Sequence, residues 1–168
     1  RLIVVDDALQ TLQALAREHR RELGLPILAI TGSNGKTTTK ELVSRVLAEK
    51  YEVYATRGNL NNHIGVPLTL LAMTRDVEFG IVEMGASACG EIALLCSIAE
   101  PNYGIVTNIG RAHLEGFGGP EGVRRGKGEL FDYPRVTRVI SGKTIWESTF
   151  PIELDDVFIA MSDGAEYA

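Results

Sequence analysis

The sequence predicts an α/β fold, a mostly parallel open sheet with helices on both faces. Three observations carry that prediction. Apolar runs of strand length alternate with amphipathic helical segments from about residue 25 to residue 133. The run "PILAIT" is apolar almost throughout instead of at alternate positions, the pattern of a strand covered on both faces. A glycine-bearing loop, within "AITGSNGKTTTKEL", joins that run directly to a helix.

Taken in order, "LIVV" (Leu2 to Val5) is a short β-type run. Asp6 or Asp7 then caps "ALQTLQALAREHRREL", with Leu9, Leu12, Leu15 and Ala16 expected on the inward face. Gly24 and Pro26 end that helix, and the "PILAIT" strand follows. In "KTTTKELVSRVLAEK" the expected inward residues are Leu42, Val43, Val46 and Leu47. "YEVYAT" is a strand, "RGNLNNHIGVP" a polar turn-rich segment, and "VPLTLLAM" a short helix with Pro67 in its first turn. "VEFGIVEMG" is a strand, "GEIALLCSIAE" a helix stopped by Pro101, and "YGIVTNIG" a strand running into a loop. "GPEGVRRGKGELFDY" is helical from Glu121 onward, against the weakening effect of Gly126 and Gly128. Beyond Tyr133 the segments "VTRVIS", "GKTIWESTFPIEL" and "DDVFIAMSDG" are β-rich and joined by turns, which marks a candidate boundary.

A chain of 168 residues is long enough for one domain with a real core. Its net charge of -5 opposes any general affinity for nucleic acid or anionic membrane, so phosphate binding has to come from a local site. No apolar run approaches the roughly 20 residues that span a bilayer, and the N-terminus lacks the pattern of a secretory signal. Cys89 and Cys96, seven apart on one expected helix, suit two buried thiols better than a disulfide, and a cytoplasmic setting is expected. Because the chain starts at Arg1, it is expected to be a piece of something longer.

A standard phosphate loop has the form G-x-x-x-x-G-K-[ST]. Here its first glycine would fall at Ile30, leaving Thr31-Gly32-Ser33-Asn34-Gly35-Lys36-Thr37 between strand and helix. That placement still aims backbone N–H groups and a helix N-terminus at an anion. Lys36 would reach the outer phosphates, and the Thr37 hydroxyl suits Mg²⁺. In open α/β sheets ligands sit beyond the carboxyl ends of the strands, where Glu83 and His113 fall. Glu83 offers a hard-cation ligand. By spacing alone, Lys127 in "RRGKGEL" is a solvated lysine beside Arg124 and Arg125.

The segments "TGSNGKTTTKE", "GNLNNHIGVPLTLL", "EMGAS", "TNIGRAHLEGFG" and "KGEL" resemble, in order and spacing, the central ATP-binding domain of the Mur ligase family. The resemblance runs from about Leu2 to Tyr133, and "TGSNGKTT" is the family's own shortened loop. "NLNNHIGVPLTLL" and "EMGAS" are most similar to the branch that joins D-Ala-D-Ala to UDP-MurNAc-tripeptide in peptidoglycan precursor synthesis. The resemblance implies a P-loop NTPase-like Mur ligase central domain, here truncated, and a cytoplasmic enzyme working through an acyl phosphate. It implies that Thr31, Gly32, Ser33, Asn34, Gly35, Lys36, Thr37 and Thr38 hold ATP. Thr37 and Glu83 would bind one Mg²⁺ and His113 a second. Lys127 would be the lysine that CO₂ carbamylates into a metal partner. Lys36, Lys127 and His113 form the implied catalytic set, and Asn59, Asn61 and Asn62 line the substrate side. His63 stands where many relatives carry Glu and receives no role.

The expected layout is the end of a UDP-substrate-binding domain with a linker helix over 1–24, the partial ATP-binding domain over 25–134, and a β-rich, non-family tail over 135–168. "LDDVFIAMSDG" in that tail is similar to a strand and Asp-Gly turn of metal-dependent serine/threonine phosphatases, with Asp163 as a metal candidate. The family's adenine-holding asparagine segment and its C-terminal domain are not found in the sequence. A monomer that keeps ATP and Mg²⁺ contacts but has incomplete activity is therefore expected, with small-molecule partners and no nucleic acid or membrane insertion. Two alternatives stay open. One is a non-catalytic nucleotide-binding module; the other is a folylpolyglutamate synthase-like ligase, which "EMGAS" and "NLNN" oppose.

Overall fold

The computed structural model describes residues 4–111, 113–133 and 137–139. Asp7 caps helix α1 (Ala8–Leu23) by accepting the Gln10 N–H at 2.9 Å, and Gly24 closes it in a left-handed conformation. Strand β1 (Ile27–Thr31) leads into α2 (Lys36–Leu47), β2 (Val53–Ala55), α3 (Gly65–Leu71) and β3 (Phe79–Glu83). Then follow α4 (Glu91–Ala99), β4 (Tyr103–Val106), the single turn α5 (Leu114–Phe117), α6 (Pro120–Asp132) and β5 (Thr137–Val139).

The five strands lie in the order β2-β3-β1-β4-β5, and every pairing is parallel. Side-chain alternation divides β1 between two cores. Ile27 and Ala29 face Val66, Leu70, Ile92, Leu95 and Leu130 from α3, α4 and α6, while Leu28 and Ile30 face Val43 and Leu47 of α2. Helices therefore cover both faces, as the continuous apolar pattern of "PILAIT" requires. The connection leaving β1 crosses one face as α2, and the connection leaving β3 crosses the other as α4. The carboxyl ends of these neighbouring strands thus flank a topological switch point, where open α/β sheets open a crevice. Ile30 pairs with Glu83 there.

Several expectations are corrected. Val4 and Val5 are exposed and lie outside any strand; Leu2 and Ile3 are outside the described residues. Leu9 and Leu15 of α1 are exposed, because the helix buries the Ala16–Arg20 stripe instead. Arg20 sets that rotation: its guanidinium donates to the Ala99 and Glu100 carbonyls and to Asn102 Oδ1, which also accepts the Ile27 N–H. On α2, Val43 and Leu47 are buried but Leu42 and Val46 are exposed, since Thr39 and Lys40 complete the inward face. Cys89 precedes α4 and is half-buried, while Cys96 is in the core. Gly122 and Gly126 lie inside a continuous α6 because Phe117 packs on them: a Cβ at these positions would meet Phe117 atoms at 1.7 and 2.3 Å. The β-type reading of "VTRVIS", by contrast, holds at Thr137–Val139, which forms the fifth parallel strand beside β4. Asp163 and the remaining tail segments lie outside the described residues.

Candidate active site

The loop between β1 and α2 is shaped by its two glycines. Gly35, at φ 78°, turns the chain into α2, and Gly32, at φ 140°, brings the backbone against the loop after β4. A Cβ at Gly32 would lie 2.0 Å from Thr107 Oγ1. That second loop fastens the first. The Thr107 hydroxyl donates to the Asn34 carbonyl at 2.5 Å, and the Asn108 carbonyl and side-chain oxygen accept the Ser33 and Asn34 N–H groups at 3.1 and 2.9 Å. Ser33 Oγ accepts the Gly110 N–H at 2.9 Å. With Ser33 and Asn34 so occupied, the N–H groups of the first turn of α2, which have no intrahelical partners, are the backbone donors that could meet an anion here. Lys36 folds its ammonium over the loop, donating to the Gly32 carbonyl at 2.8 Å.

Beside the loop, at the end of β3, Glu83 is 2% exposed. Its Oε2 accepts the Thr37 hydroxyl at 3.1 Å and its Oε1 accepts Asn61 Nδ2 at 2.9 Å. Lys40, also 2% exposed, places Nζ 3.9 Å from Glu83 Oε2 and donates to the Thr56 carbonyl at 2.7 Å. Thr56 returns to the same carboxylate residue, its hydroxyl accepting the Glu83 N–H at 2.9 Å.

A cleft of about 490 Å³ opens from this point, lined by Lys36, Asn61, His63, Glu91, His113 and Lys127 among others. The spacing-based expectation that Lys127 is solvated fails: it is 2% exposed, donates to the Ala86 carbonyl at 3.0 Å and sits 5.2 Å over the Phe117 ring. Burial and, next, the ammonium of Lys36 push its pKa from 10.5 down to about 8, against the pull of Glu91 and Glu129. Burial works against the charge of Glu91, but the Ser87 and Ala88 N–H groups it accepts outweigh that and hold its pKa below the usual carboxylate range. Glu129 accepts the Gly90 and Ala93 N–H groups, so two carboxylates hold the start of α4 beside Lys127.

His113 occupies a left-handed turn at the start of α5 and is exposed at the cleft. Asn62 lines the cleft but uses its side-chain oxygen to accept the Ile64 and Gly65 N–H groups at the start of α3. Asn59 and Thr38 are exposed and are not among the cleft-lining residues. The Thr31 hydroxyl is buried and donates to the Met84 carbonyl. Lys40, Thr56, Ser87 and Glu91 had no place in the sequence reading. Ser87 and Glu91 are four apart and Gly90 is the N-cap of α4, so the pair lacks the S-x-x-E spacing of a capping box that would have flagged it in the sequence.

Among the described residues no group of three or more His, Cys, Asp or Glu side chains converges on a metal position. The donor set that is present, one carboxylate with one hydroxyl 3.1 Å from it, suits Mg²⁺, which keeps several waters and takes one or two carboxylates together with phosphate oxygens. No helix among the described residues is long and apolar enough to cross a membrane.

The chain matches the family model described as Mur ligase middle domain over residues 30–147. It is 48% identical over 131 residues to the UDP-N-acetylmuramoyl-tripeptide–D-alanyl-D-alanine ligase of Bacillus subtilis, and 41% identical over 129 residues to that of Escherichia coli. Those matches take in 78% and 77% of this chain but only 29% and 28% of the two relatives' own length. Among solved structures, it is similar to a MurF crystal structure from Acinetobacter baumannii, with TM-score 0.79 and 37% identity over 84% of this chain and 32% of that one. A MurF ligase from Thermotoga maritima in complex with ADP aligns with TM-score 0.73 and 35% identity, over 83% of this chain and 38% of its own.

Proposed function

Since this chain belongs to the Mur ligase family, matching its middle domain, we propose that it is the nucleotide-gripping part of a cytoplasmic ATP-dependent ligase joining D-Ala-D-Ala to UDP-MurNAc-tripeptide. The observation that carries this reading is the phosphate-type loop at the switch point, with the Thr37 hydroxyl on Glu83 and two lysines facing one cleft. A substrate carboxylate would take the γ-phosphoryl group of ATP, releasing ADP, and the incoming amine would attack the acyl carbon, expelling phosphate and giving up a proton as the amide forms. Such a reaction gathers several anionic groups, and the residues present answer that need.

In this reading Lys36 and the first-turn N–H groups of α2 hold the ATP phosphates, with Thr31 to Thr38 forming the cradle. Thr37 and Glu83 are proposed as the holders of one Mg²⁺, with His113 serving a second. When bound, Mg²⁺ would offset phosphate repulsion and draw charge from the transferring group. Lys127 is proposed as the carbamylation site: an amine with a pKa near 8 is partly neutral at cellular pH, and only the neutral amine adds CO₂. Asn61 orients Glu83 from the substrate side of the cleft, and Asn59 and Asn62 shape the loop that presents it.

Because the chain spans under a third of its curated relatives' length, nucleotide binding is proposed for these residues and ligation for the whole protein. The test is ATP binding measured beside ADP release with UDP-MurNAc-tripeptide and D-Ala-D-Ala. Lys36→Ala is expected to weaken ATP about tenfold to a hundredfold, the worth of a charge-assisted hydrogen bond. Unchanged binding in that variant would refute the phosphate-loop assignment. Binding without turnover is the result expected of this chain alone.

A further inference from the structure

Lys40 places its amine where charged groups are rarely left. It is 2% exposed, lies one helical turn past Lys36 on the inward face of α2, and packs at the end of β2 instead of reaching water. Its ammonium has three neighbours: the Thr56 carbonyl at 2.7 Å, Glu41 Oε1 at 3.3 Å and Glu83 Oε2 at 3.9 Å. Glu41 is mostly exposed, its side chain 60% accessible, so its pull is screened by solvent. Glu83 is buried and its pull is not. The short bond to Thr56 fixes where the ammonium stands, and the Thr56 hydroxyl fixes the Glu83 backbone at 2.9 Å. One small strand end therefore holds both partners.

We propose that Lys40 is a positioning residue for the nucleotide site: its buried ammonium, pinned to Thr56, is a fixed counter-charge that holds the Glu83 carboxylate aimed at the Thr37 hydroxyl. The proposal rests on the reading of Glu83 as the carboxylate that faces Mg²⁺. A buried carboxylate without a counter-charge is costly and free to turn toward other donors. Asn61 pulls Oε1 from one side. Lys40 pulls Oε2 from the other, so the carboxylate plane is set from both ends. Lys36 does not share this role, since its ammonium stands over the phosphate-type loop on the Gly32 and Ser33 carbonyls and not on Glu83. Partners that orient a metal-facing ligand in this way typically change metal affinity or activity by about 10- to 100-fold when removed.

The experiment measures ATP binding to the 168-residue chain by calorimetry, with Mg²⁺ and again with EDTA, in the parent, Lys40→Gln, Glu83→Gln and the double variant. Gln at position 40 removes the charge and offers a shorter N–H donor on the side of the Thr56 carbonyl. Expected are a loss of about tenfold or more in Mg·ATP affinity for Lys40→Gln, little change for ATP in EDTA, and no further loss when it is added to Glu83→Gln. Thermal unfolding of all four accompanies the titrations. The double variant, with both buried charges gone, is expected to regain part of the stability lost by Lys40→Gln, and it keeps the test decisive where the single variant folds poorly. Equal losses with and without Mg²⁺, or full additivity with Glu83→Gln, would show a merely structural lysine and overturn the proposal. A Glu83→Gln variant that binds Mg·ATP like the parent would instead overturn the reading of the site itself.

Discussion

Lys127→Met removes the buried amine while keeping most of its length, and its consequence for stability can be worked out as a function of pH. In the fold the amine has a pKa of about 8, against an ordinary 10.5. Below about pH 8 both folded and unfolded chains carry the proton, and the fold bears the full cost of the buried charge. Between about 8 and 10.5 the folded chain has released the proton and the unfolded chain has not, so stability rises with pH. Above 10.5 both are neutral and the rise stops. At ~1.36 kcal/mol per pH unit, the whole rise amounts to about 3 kcal/mol. Urea unfolding in CO₂-depleted buffer from pH 7 to 10.5, for parent and variant, reads this group together with its coupling to Lys36, because the titrations that Lys127 does not touch cancel in the difference. The parent's stability relative to the variant is expected to climb by about 3 kcal/mol over that window. A flat or falling difference would refute the claim that the Lys127 amine is buried beside Phe117 and Lys36.

Three further outcomes follow from the packing. Gly32→Ala sets a methyl group against Thr107 Oγ1 at a φ that L residues avoid; a loss of at least about 2 kcal/mol in urea unfolding and weakened ATP binding are expected, and pairing it with Thr107→Ala should restore only part. Asn102→Ala leaves the Ile27 N–H and one Arg20 donor without their shared acceptor, for an expected loss of about 1–3 kcal/mol and faster amide exchange along α1. Cys96, whose thiol is pushed up to about 12 chiefly by burial, is expected to resist thiol reagents in the folded chain while Cys89 is labelled; mass spectrometry showing label on Cys96 without unfolding would contradict the core packing.

Much of the scaffold was legible because it rests on local signals. The strand–loop–helix order around Lys36, the carboxylate ending β3 and the both-faces apolar pattern of β1 each follow from neighbouring residues. The errors came from tertiary partners that local periodicity does not report. Counting apolar residues put Leu42 and Val46 inward, but the face of α2 is decided by what the sheet needs at its carboxyl end, namely Thr39 and Lys40 against Thr56 and Glu83. Lys127 looked solvated because its arginine neighbours are; the turn carrying Phe117 covers it, and Gly126, one of the two glycines that seemed to weaken α6, is what lets that ring approach. Glu91 was invisible for a similar reason, since its value lies in the backbone of the preceding loop.

The fastening of the Gly32–Asn34 loop, its backbone by Thr107 and Asn108 and its Ser33 hydroxyl by the Gly110 N–H, bears on how portable the phosphate grip is. The loop does not own its rigidity; it borrows it from a segment more than seventy residues downstream. Transplanting "TGSNGKTT" onto another α/β sheet would carry the letters without the brace, and the graft would be a slack loop. Recombination in this fold is therefore constrained to exchange β1 with its loop and β4 with its loop as a pair.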